Sequence, residues 1–579
     1  MDAPILSRAD GREEPPAQAA LRHATRALRL HLTSLPIDFN DVTTPDRFLT
    51  GLAFMSARQR FEAAESMIGS GFGGTVLGSL CRSVFFDGLR WLWVSADPGT
   101  RRRALLGDLI VERNRMCRTP VPPDSSCGNL QRWLQPIPPL ADLTGESMTW
   151  LDAPTFPSEQ ALLDDYLTGS PADPSSASAR SAALLDVAGL RGAVYVLAHA
   201  GHGNYLGLQS TVSEDGVPGH DLRADHEALF MHVASAGVVA TLLGSSAALP
   251  DMWPADVEQE PFIDEAVRLA SVVAATARPI HKLSTTKKFN VPVKAADPEP
   301  PTGLIDPRVI VAAANWWPDT NSIQEVAERA EAYWDLARSF PVDMWGHGNP
   351  ALHEALNFAG AHSNLNVVLS TYDRPGSEVI AVFAARMLLE ESARLRWRFA
   401  SAEADVFKAR ATQYFDEMRA RAAKTIDLLA GSGVPRTDAV SILALPQNGT
   451  YIANPNQTVA KGRTPIPTIT SMLRDYGRGF PEERWFEVAY SFLSQTVHAT
   501  PVGYLHGIRY TDEGWDAYSI SPEMLGLALD VACWASAHMI GHSSVIFSNI
   551  SAEAIAFRNE LTKAAYRVHE AARPVHGLD

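Results

Sequence analysis

Apolar residues recur at helical spacing over long parts of this chain. Two of the clearest segments are "FLTGLAFMSARQRFEAAESMI" at 48–68 and "SEVIAVFAARMLLEESARLRWRFA" at 377–400. A repeat of apolar positions every three to four residues is typical of a helix that buries one face. Alternation typical of strands is scarce, and its best examples are short: "RVIVAAA" at 308–314 and "VSILAL" at 440–445. The pattern therefore predicts a mainly α protein.

The regular pattern is interrupted near the middle of the chain. Residues 283–306, "LSTTKKFNVPVKAADPEPPTGLID", are rich in proline and poor in large apolar side chains. Such composition is typical of a linker. A chain of 579 residues also exceeds the size at which one core keeps growing. We therefore expect a first domain at 1–282 and a second at 307–579.

The two halves share an ordered set of segments, which predicts an internal duplication. The first pair is "LCRSVFFDGLRWLW" at 80–93 with "AARMLLEESARLRW" at 384–397. It is followed by "LLDDYL" with "MLRDYG", by "VLAHAGHGNYLG" with "FLSQTVHATPVG", and by "EALFMHVASAGVVATLLG" with "EMLGLALDVACWASAHMIG". The polar positions that this order pairs are Arg82 with Arg386, Asp87 with Glu391, Asp165–Tyr166 with Asp475–Tyr476, and His202 with His498.

Each half also carries a proline-rich excursion at the same place in this order, at 118–160 and at 434–470. Loops of this length in compact domains are usually functional or disordered. Because both halves keep one, we expect ordered covering loops. The full expectation is two homologous helical-bundle domains related by pseudo-twofold symmetry.

The repeated polar residues are the candidates for chemistry. Arg82 and Asp87 are five residues apart, so they point about 140° from each other on a helix and are expected to meet different helices. Glu390, in contrast, is four residues after Arg386 and on the same face. Two interpretations remain open: ion pairs that fix helix packing, or a polar pocket completed by the repeated histidine.

A histidine is the natural general acid or base near neutral pH, although a histidine at a helix end also has a structural role there. His202 and His498 each follow a predicted helix. Only His202 of the pair His199 and His202 has a counterpart, since His199 faces Gln495 in the repeat. The candidate catalytic residues are Arg82, Asp87, His202, Arg386, Glu391, Tyr476 and His498.

Metal and nucleotide motifs are weak. His538 and His542 stand four residues apart on one helical face, without a third ligand at a regular spacing. The glycine-rich "GSGFGG" at 69–74 lacks the Lys-Ser/Thr of a P-loop. The four cysteines form no CxxC pair, and no GxSxG elbow occurs. Metal binding at His538 and His542 is therefore a minority expectation.

Charge and hydropathy limit the partners. The net charge of −16 disfavours a broad nucleic-acid-binding face, because an acidic surface repels phosphates. A small basic pocket for RNA, a nucleotide or another small molecule stays compatible with this charge. The N-terminus shows no secretory signal. No uninterrupted apolar run reaches membrane-spanning length, and the run that comes closest contains Gly and Ser. We expect a cytoplasmic protein.

The Arg/acid/aromatic segment and the later helix ending in His resemble an uncharacterised bacterial helical family, present here as two fused copies. That family is loosely similar to the HEPN helical domains, many of which are RNases or toxin-like components of prokaryotic defence. HEPN nucleases place Arg and His four to six residues apart on one helix at a dimer interface, whereas Arg386 and His498 lie on distant segments. The resemblance implies a hydrolase acting on RNA or a nucleotide. The alternative function is that of a non-catalytic binding, sensor or scaffold module.

Overall fold

The fold is built almost entirely from helices. A computed structural model describes residues 15–35, 45–69, 73–99, 156–168, 190–202, 205–209, 222–248, 257–283, 320–339, 352–374, 376–399, 404–443, 465–477, 485–498, 520–547 and 551–578, with a few shorter pieces between them. Seventeen helices and one two-stranded hairpin lie in this part of the chain. The expectation of a mainly α protein is confirmed.

The helices are numbered in chain order. Those of residues 1–282 are α1 (Pro16–Thr33), α2 (Pro45–Ser66), α3 (Gly74–Ala96), α4 (Glu159–Thr168), α5 (Leu190–Gly201), α6 (Tyr205–Gln209), α7 (Ala224–Ala248) and α8 (Gln259–His281). Those that follow are α9 (Thr320–Ala337), α10 (Leu352–Thr371), α11 (Glu378–Phe399), α12 (Ala404–Gly431), α13 (Arg436–Ile442), α14 (Ile469–Gly477), α15 (Trp485–Val497), α16 (Pro522–Phe547) and α17 (Ala552–His576). The hairpin pairs β1 (Arg509–Thr511) with β2 (Gly514–Asp516) in antiparallel order.

Two apolar helices form the centre of the packing. Helix α7 packs against α2, α3 and α8, and α16 packs against α10, α11 and α17. Both helices are long and apolar enough to cross a membrane, but 100% and 94% of their apolar windows are buried by the rest of the protein. A helix that is apolar on all sides fits the core of a large helical protein equally well. The packing accounts for their composition without a bilayer.

One strand expectation is wrong. Residues 440–442 of "VSILAL" belong to α13, which begins after Pro435 and buries Ala439 and Ile442 on one face. A short apolar run cannot distinguish a buried helix from a strand, and here the proline before the helix was the better guide. The other strand candidate at 308–314 and most of the excursion at 118–160 lie outside the described residues. The hairpin of β1 and β2 was not anticipated.

Glycines allow a close helix crossing between α3 and α7. A Cβ at Gly237 would lie 2.6 Å from the Cα of Phe85, and a Cβ at Gly88 would lie 2.5 Å from the carbonyl oxygen of Gly237. One heptad further along α7, a Cβ at Gly244 would lie 2.4 Å from the carbonyl carbon of Trp91. The obstacles are backbone atoms, so the two helix axes are as close as the missing side chains allow.

Gly237→Ala is therefore expected to lower the free energy of unfolding by about 3 kcal/mol, because overpacking against backbone is relieved only by separating the helices. Gly431→Ala is the matched control, since nothing lies within 4 Å of its added Cβ. Urea unfolding followed by far-ultraviolet circular dichroism measures both. Equal stability of the two variants would contradict the close crossing.

Candidate active site

A buried carboxylate on α11 lies at the centre of a polar cluster. Oε1 of Glu390 accepts hydrogen bonds from Arg386 Nη2 at 2.6 Å and from the Tyr490 hydroxyl at 2.9 Å. Oε2 accepts from Arg394 Nη2 at 2.9 Å and from His202 Nδ1 at 3.3 Å. Burial raises the pKa of Glu390, but Arg386, His202 and Arg394 together hold it well below its usual value. Four donors thus occupy the four lone-pair positions of an ionised carboxylate.

Arg386 is enclosed by the same cluster. Its Nε donates to Ser494 Oγ at 3.1 Å, and its Nη2 donates to the Tyr490 hydroxyl at 3.2 Å. The same Nη2 lies 3.3 Å from His498 Nε2. Only 1% of the Arg386 side chain is exposed. This arginine therefore organises the cluster from inside and does not present a free guanidinium to solvent.

His498 is held at the end of α15. Its backbone N–H donates to the carbonyl of Ser494 at 2.8 Å, which continues the helical pattern by one residue. Because an arginine nitrogen only donates, Nε2 of His498 is the acceptor of the Arg386 contact and Nδ1 carries the proton. Nδ1 then donates to Glu159 Oε1 at 3.3 Å. The histidine side chain is 29% exposed.

Glu159, the first residue of α4, brings the first half of the chain to His498. Its Oε2 also pairs with Arg82, and Arg90 Nη2 lies 4.0 Å from Oε1. Burial raises the pKa of Glu159, but Arg82 and then His498 hold it far below its usual value. Residues from both halves of the chain therefore meet at this carboxylate.

His202 makes the corresponding contact in the other direction. It follows α5, its Nδ1 donates to Glu390, and its carbonyl accepts from Arg394 Nη1 at 2.6 Å. The side chain is 30% exposed. Burial lowers the pKa of His202 to about 4, although Glu390 raises it. Burial likewise lowers the pKa of His498. Both imidazoles are therefore neutral at pH 7, with one unprotonated nitrogen each.

The two acids paired in the sequence, Asp87 and Glu391, are held by arginines. Asp87 is fully buried, and contacts Arg60 Nη1 at 2.9 Å and the Tyr504 hydroxyl at 2.7 Å. Arg82 pairs with α4 and Asp87 with α2, as their angular separation predicts. Glu391 pairs with Arg394, and burial raises its pKa to about 7. In the described contacts neither acid touches a histidine.

Other sequence candidates lie elsewhere. Tyr476 is in α14, but its side chain lies outside the described residues, and the neighbouring Asp475 is exposed. Burial raises the pKa of Tyr166 to about 12. His538 stacks on Trp534 with ring centroids 6.2 Å apart, and the ring of His542 lies 4.0 Å from that of Phe399.

The described residues contain one group whose geometry suits a metal ion, and it does not include His538 or His542. Its members are Asp530, His569 and His576, with ligand atoms within 4.8 Å of one another. The backbone N–H of Leu578 donates to His576 Nδ1 at 3.0 Å, so Nε2 carries the proton and donates to Asp530 Oδ2 at 3.1 Å. A metal needs the Nε2 lone pair that this tautomer lacks. Hydrogen bonding accounts for the cluster better than metal ligation.

Several residues of the site were missed in the sequence. Arg90 and Arg394 follow the paired acids by three residues in both halves, a signal that was present in the matched segments. Glu159 carried no such signal, because the repeat places no acid at the matching position of α14. Tyr490 and Ser494 lie on the face of α15 that meets α11.

Comparison with known proteins leaves the site to be interpreted by its own chemistry. No protein family, curated protein or solved structure matches the chain. The arrangement itself offers two neutral, partly exposed imidazoles, one beside the buried Glu390 and one beside the partly exposed Glu159. A neutral imidazole can take up a proton from a bound hydroxyl or water.

His199, three residues before His202, has a different environment from that of His202. It is buried one turn before His202, with Nε2 3.1 Å from Thr425 Oγ1 of α12, and burial lowers its pKa to about 3. The unfolded chain binds a proton at this residue below pH 6.5 and the folded chain does not, so stability falls as the pH falls below 6.5.

We expect His199 to account for a loss of about 2 kcal/mol in unfolding free energy between pH 7 and pH 5. His199→Gln, which keeps a partner for Thr425 and copies Gln495, removes this loss and leaves stability at pH 7.5 nearly unchanged. Urea unfolding at both pH values measures the difference. An identical pH dependence in variant and parent would show that His199 is not held neutral.

Proposed function

We propose that the chain is a fused pair of homologous helical domains, 1–282 and 307–579, joined by the linker at 283–306. The order and packing of the helices support this. Helix α1 packs on α8 as α9 packs on α17, and α3 contacts α2, α4, α5 and α7 as α11 contacts α10, α14, α15 and α16. The same partners recur in the same sequence order in both halves.

The ends of α8 and α17 support the duplication with side-chain detail. Both carry Ala-Arg-Pro, one aliphatic residue and a histidine. In each, the backbone N–H two residues after the histidine donates to its Nδ1, from Leu283 to His281 and from Leu578 to His576, at 3.0 Å in both cases. The residue between is left-handed in both, with φ of 57° at Lys282 and 61° at Gly577.

A close approach after the two site histidines is repeated as well. A Cβ at Gly207 would lie 2.2 Å from the carbonyl oxygen of His199, and a Cβ at Gly503 would lie 2.1 Å from that of Gln495. His199 and Gln495 are the residues that the sequence repeat pairs. Both turns therefore require glycine for the same steric reason.

For the activity, we propose a hydrolase that uses these histidines on RNA or a nucleotide. The observation that carries it is that each half supplies one partly exposed, neutral histidine whose Nδ1 is held by a carboxylate of the other half: His202 by Glu390, and His498 by Glu159. A carboxylate on one ring nitrogen orients the imidazole and stabilises its protonated form during proton transfer.

The groups at the site support the proposed substrate class. Ser494 accepts a hydrogen bond from Arg386 inside the cluster, so we do not assign it as a nucleophile. The nucleophile that the histidines activate then comes from the substrate or from water. RNA carries its own nucleophile in the ribose 2′-hydroxyl, and water serves for a nucleotide. Arg82, 12% exposed, is more exposed than Arg90, Arg386 and Arg394 and is the candidate to contact a phosphate. The HEPN resemblance adds a cytoplasmic role in prokaryotic defence or stress to the proposal.

A panel of single-stranded RNAs and nucleotides tests the activity. We expect turnover by the parent chain and at least a hundredfold loss of kcat in the double variant His202→Gln with His498→Gln, since no imidazole is left at the site. His23→Gln is the matched control, because His23 is exposed on α1. Melting temperatures within a few degrees of the parent establish that the variants are folded.

A non-catalytic scaffold is the second candidate, and the burial of Arg386 and Glu390 favours it. A buried charge cluster with all hydrogen bonds made is also what a permanent contact between two halves requires. No turnover of any panel member by the parent chain, with a large loss of stability in Glu390→Gln, would decide for the scaffold.

A further inference from the structure

The two site histidines differ in the nitrogen that would do chemistry. At His498 both ring nitrogens are engaged, because Nδ1 donates to Glu159 and Nε2 accepts from Arg386. The lone pair of Nε2 thus faces a guanidinium cation at 3.3 Å. A cation at this distance opposes protonation of the same nitrogen.

At His202 one nitrogen is open. Nδ1 donates to Glu390 and the carbonyl accepts from Arg394, which fixes the residue at both ends. Among the described residues, Nε2 of His202 has no hydrogen-bond partner, and 30% of the side chain is exposed. The charged groups that act on it are Glu390, Arg386 and Arg394 from α11 and Arg82 from α3, and its titratable neighbour on α5 is His199.

We infer that His202 is the proton acceptor of this site and that His498, held between Glu159 and Arg386, is a positioning residue. This assignment rests on the proposed function. It places the proton acceptor in the first half, although the second half has the fuller set of polar residues in the sequence. His202 Nε2 takes the proton of the attacking hydroxyl or water. The attacking oxygen forms the new bond to phosphorus. The bond between phosphorus and the leaving oxygen breaks, and the leaving oxygen keeps the electron pair and takes a proton from solvent.

His498 acts through Arg386 rather than on the substrate. It joins Glu159 of the first half to Arg386 of the second, and Arg386 in turn pairs with the carboxylate that holds His202. Loss of His498 therefore loosens the frame around His202 and leaves the reacting nitrogen in place. A catalytic base and a positioning residue predict different kinetic losses.

Diethyl pyrocarbonate tests the assignment without any activity, because it acylates unprotonated imidazole nitrogens that it can reach. At pH 7, with peptides quantified by mass spectrometry, we expect His202 to react at least tenfold faster than His498. The exposed His23 serves as the reactivity standard. Reaction of His498 as fast as His202, or faster, would overturn the assignment.

Single variants provide the kinetic arm. We expect His202→Gln to lower kcat by a hundredfold or more, within the range for loss of a general base. His498→Gln and Glu159→Gln lower it by about tenfold and do not move the acidic limb of the pH profile, because the titrating base remains. Equal losses in His202→Gln and His498→Gln would refute the division of roles while the hydrolase proposal stands. A parent chain without turnover refutes the hydrolase, and the acylation order then still decides which nitrogen is open.

Discussion

The ionised carboxylate of Glu390 is the interaction on which the site depends. It is fully buried, and such a charge is tolerated only when its lone pairs are filled. Two arginines and a tyrosine of the second half and a histidine of the first fill them. Removing any donor leaves a lone pair of this buried carboxylate unfilled, so the position of His202 is coupled to the contact between the two halves.

The two halves reach similar polar arrangements by different residues. Where the second half has Glu390, the first has Phe86, and the guanidinium of Arg82 lies 5.0 Å from that ring. Glu159, from a different helix, then supplies the carboxylate for Arg82 and for the opposite histidine. The chemistry of an arginine, a carboxylate and a histidine is kept while the position of the acid differs, and this difference leaves the two histidines non-equivalent.

Sequence reasoning reached much of the fold but only part of the site. The apolar period predicted the long helices, since burial of one face requires that period. It also placed His202 and His498 directly after helices. It failed at residues 440–442, where a short apolar run fits either a strand or a helix, and at Glu159, whose role depends on a partner that is 339 residues away. Arg90 and Arg394 were visible in the matched segments and were overlooked.

The sequence by itself determined the helical class, because helical periodicity is a local property. The order of its segments also singled out the polar residues that the proposed duplication pairs. Tertiary structure alone decided which acid serves which histidine, because hydrogen bonds form between atoms that chain order does not relate. It brought Arg386 within 3.3 Å of His498 across 112 positions and left His199 one turn away in the core. It also left Nε2 of His202 open, and that follows only from the arrangement of several helices around one buried charge.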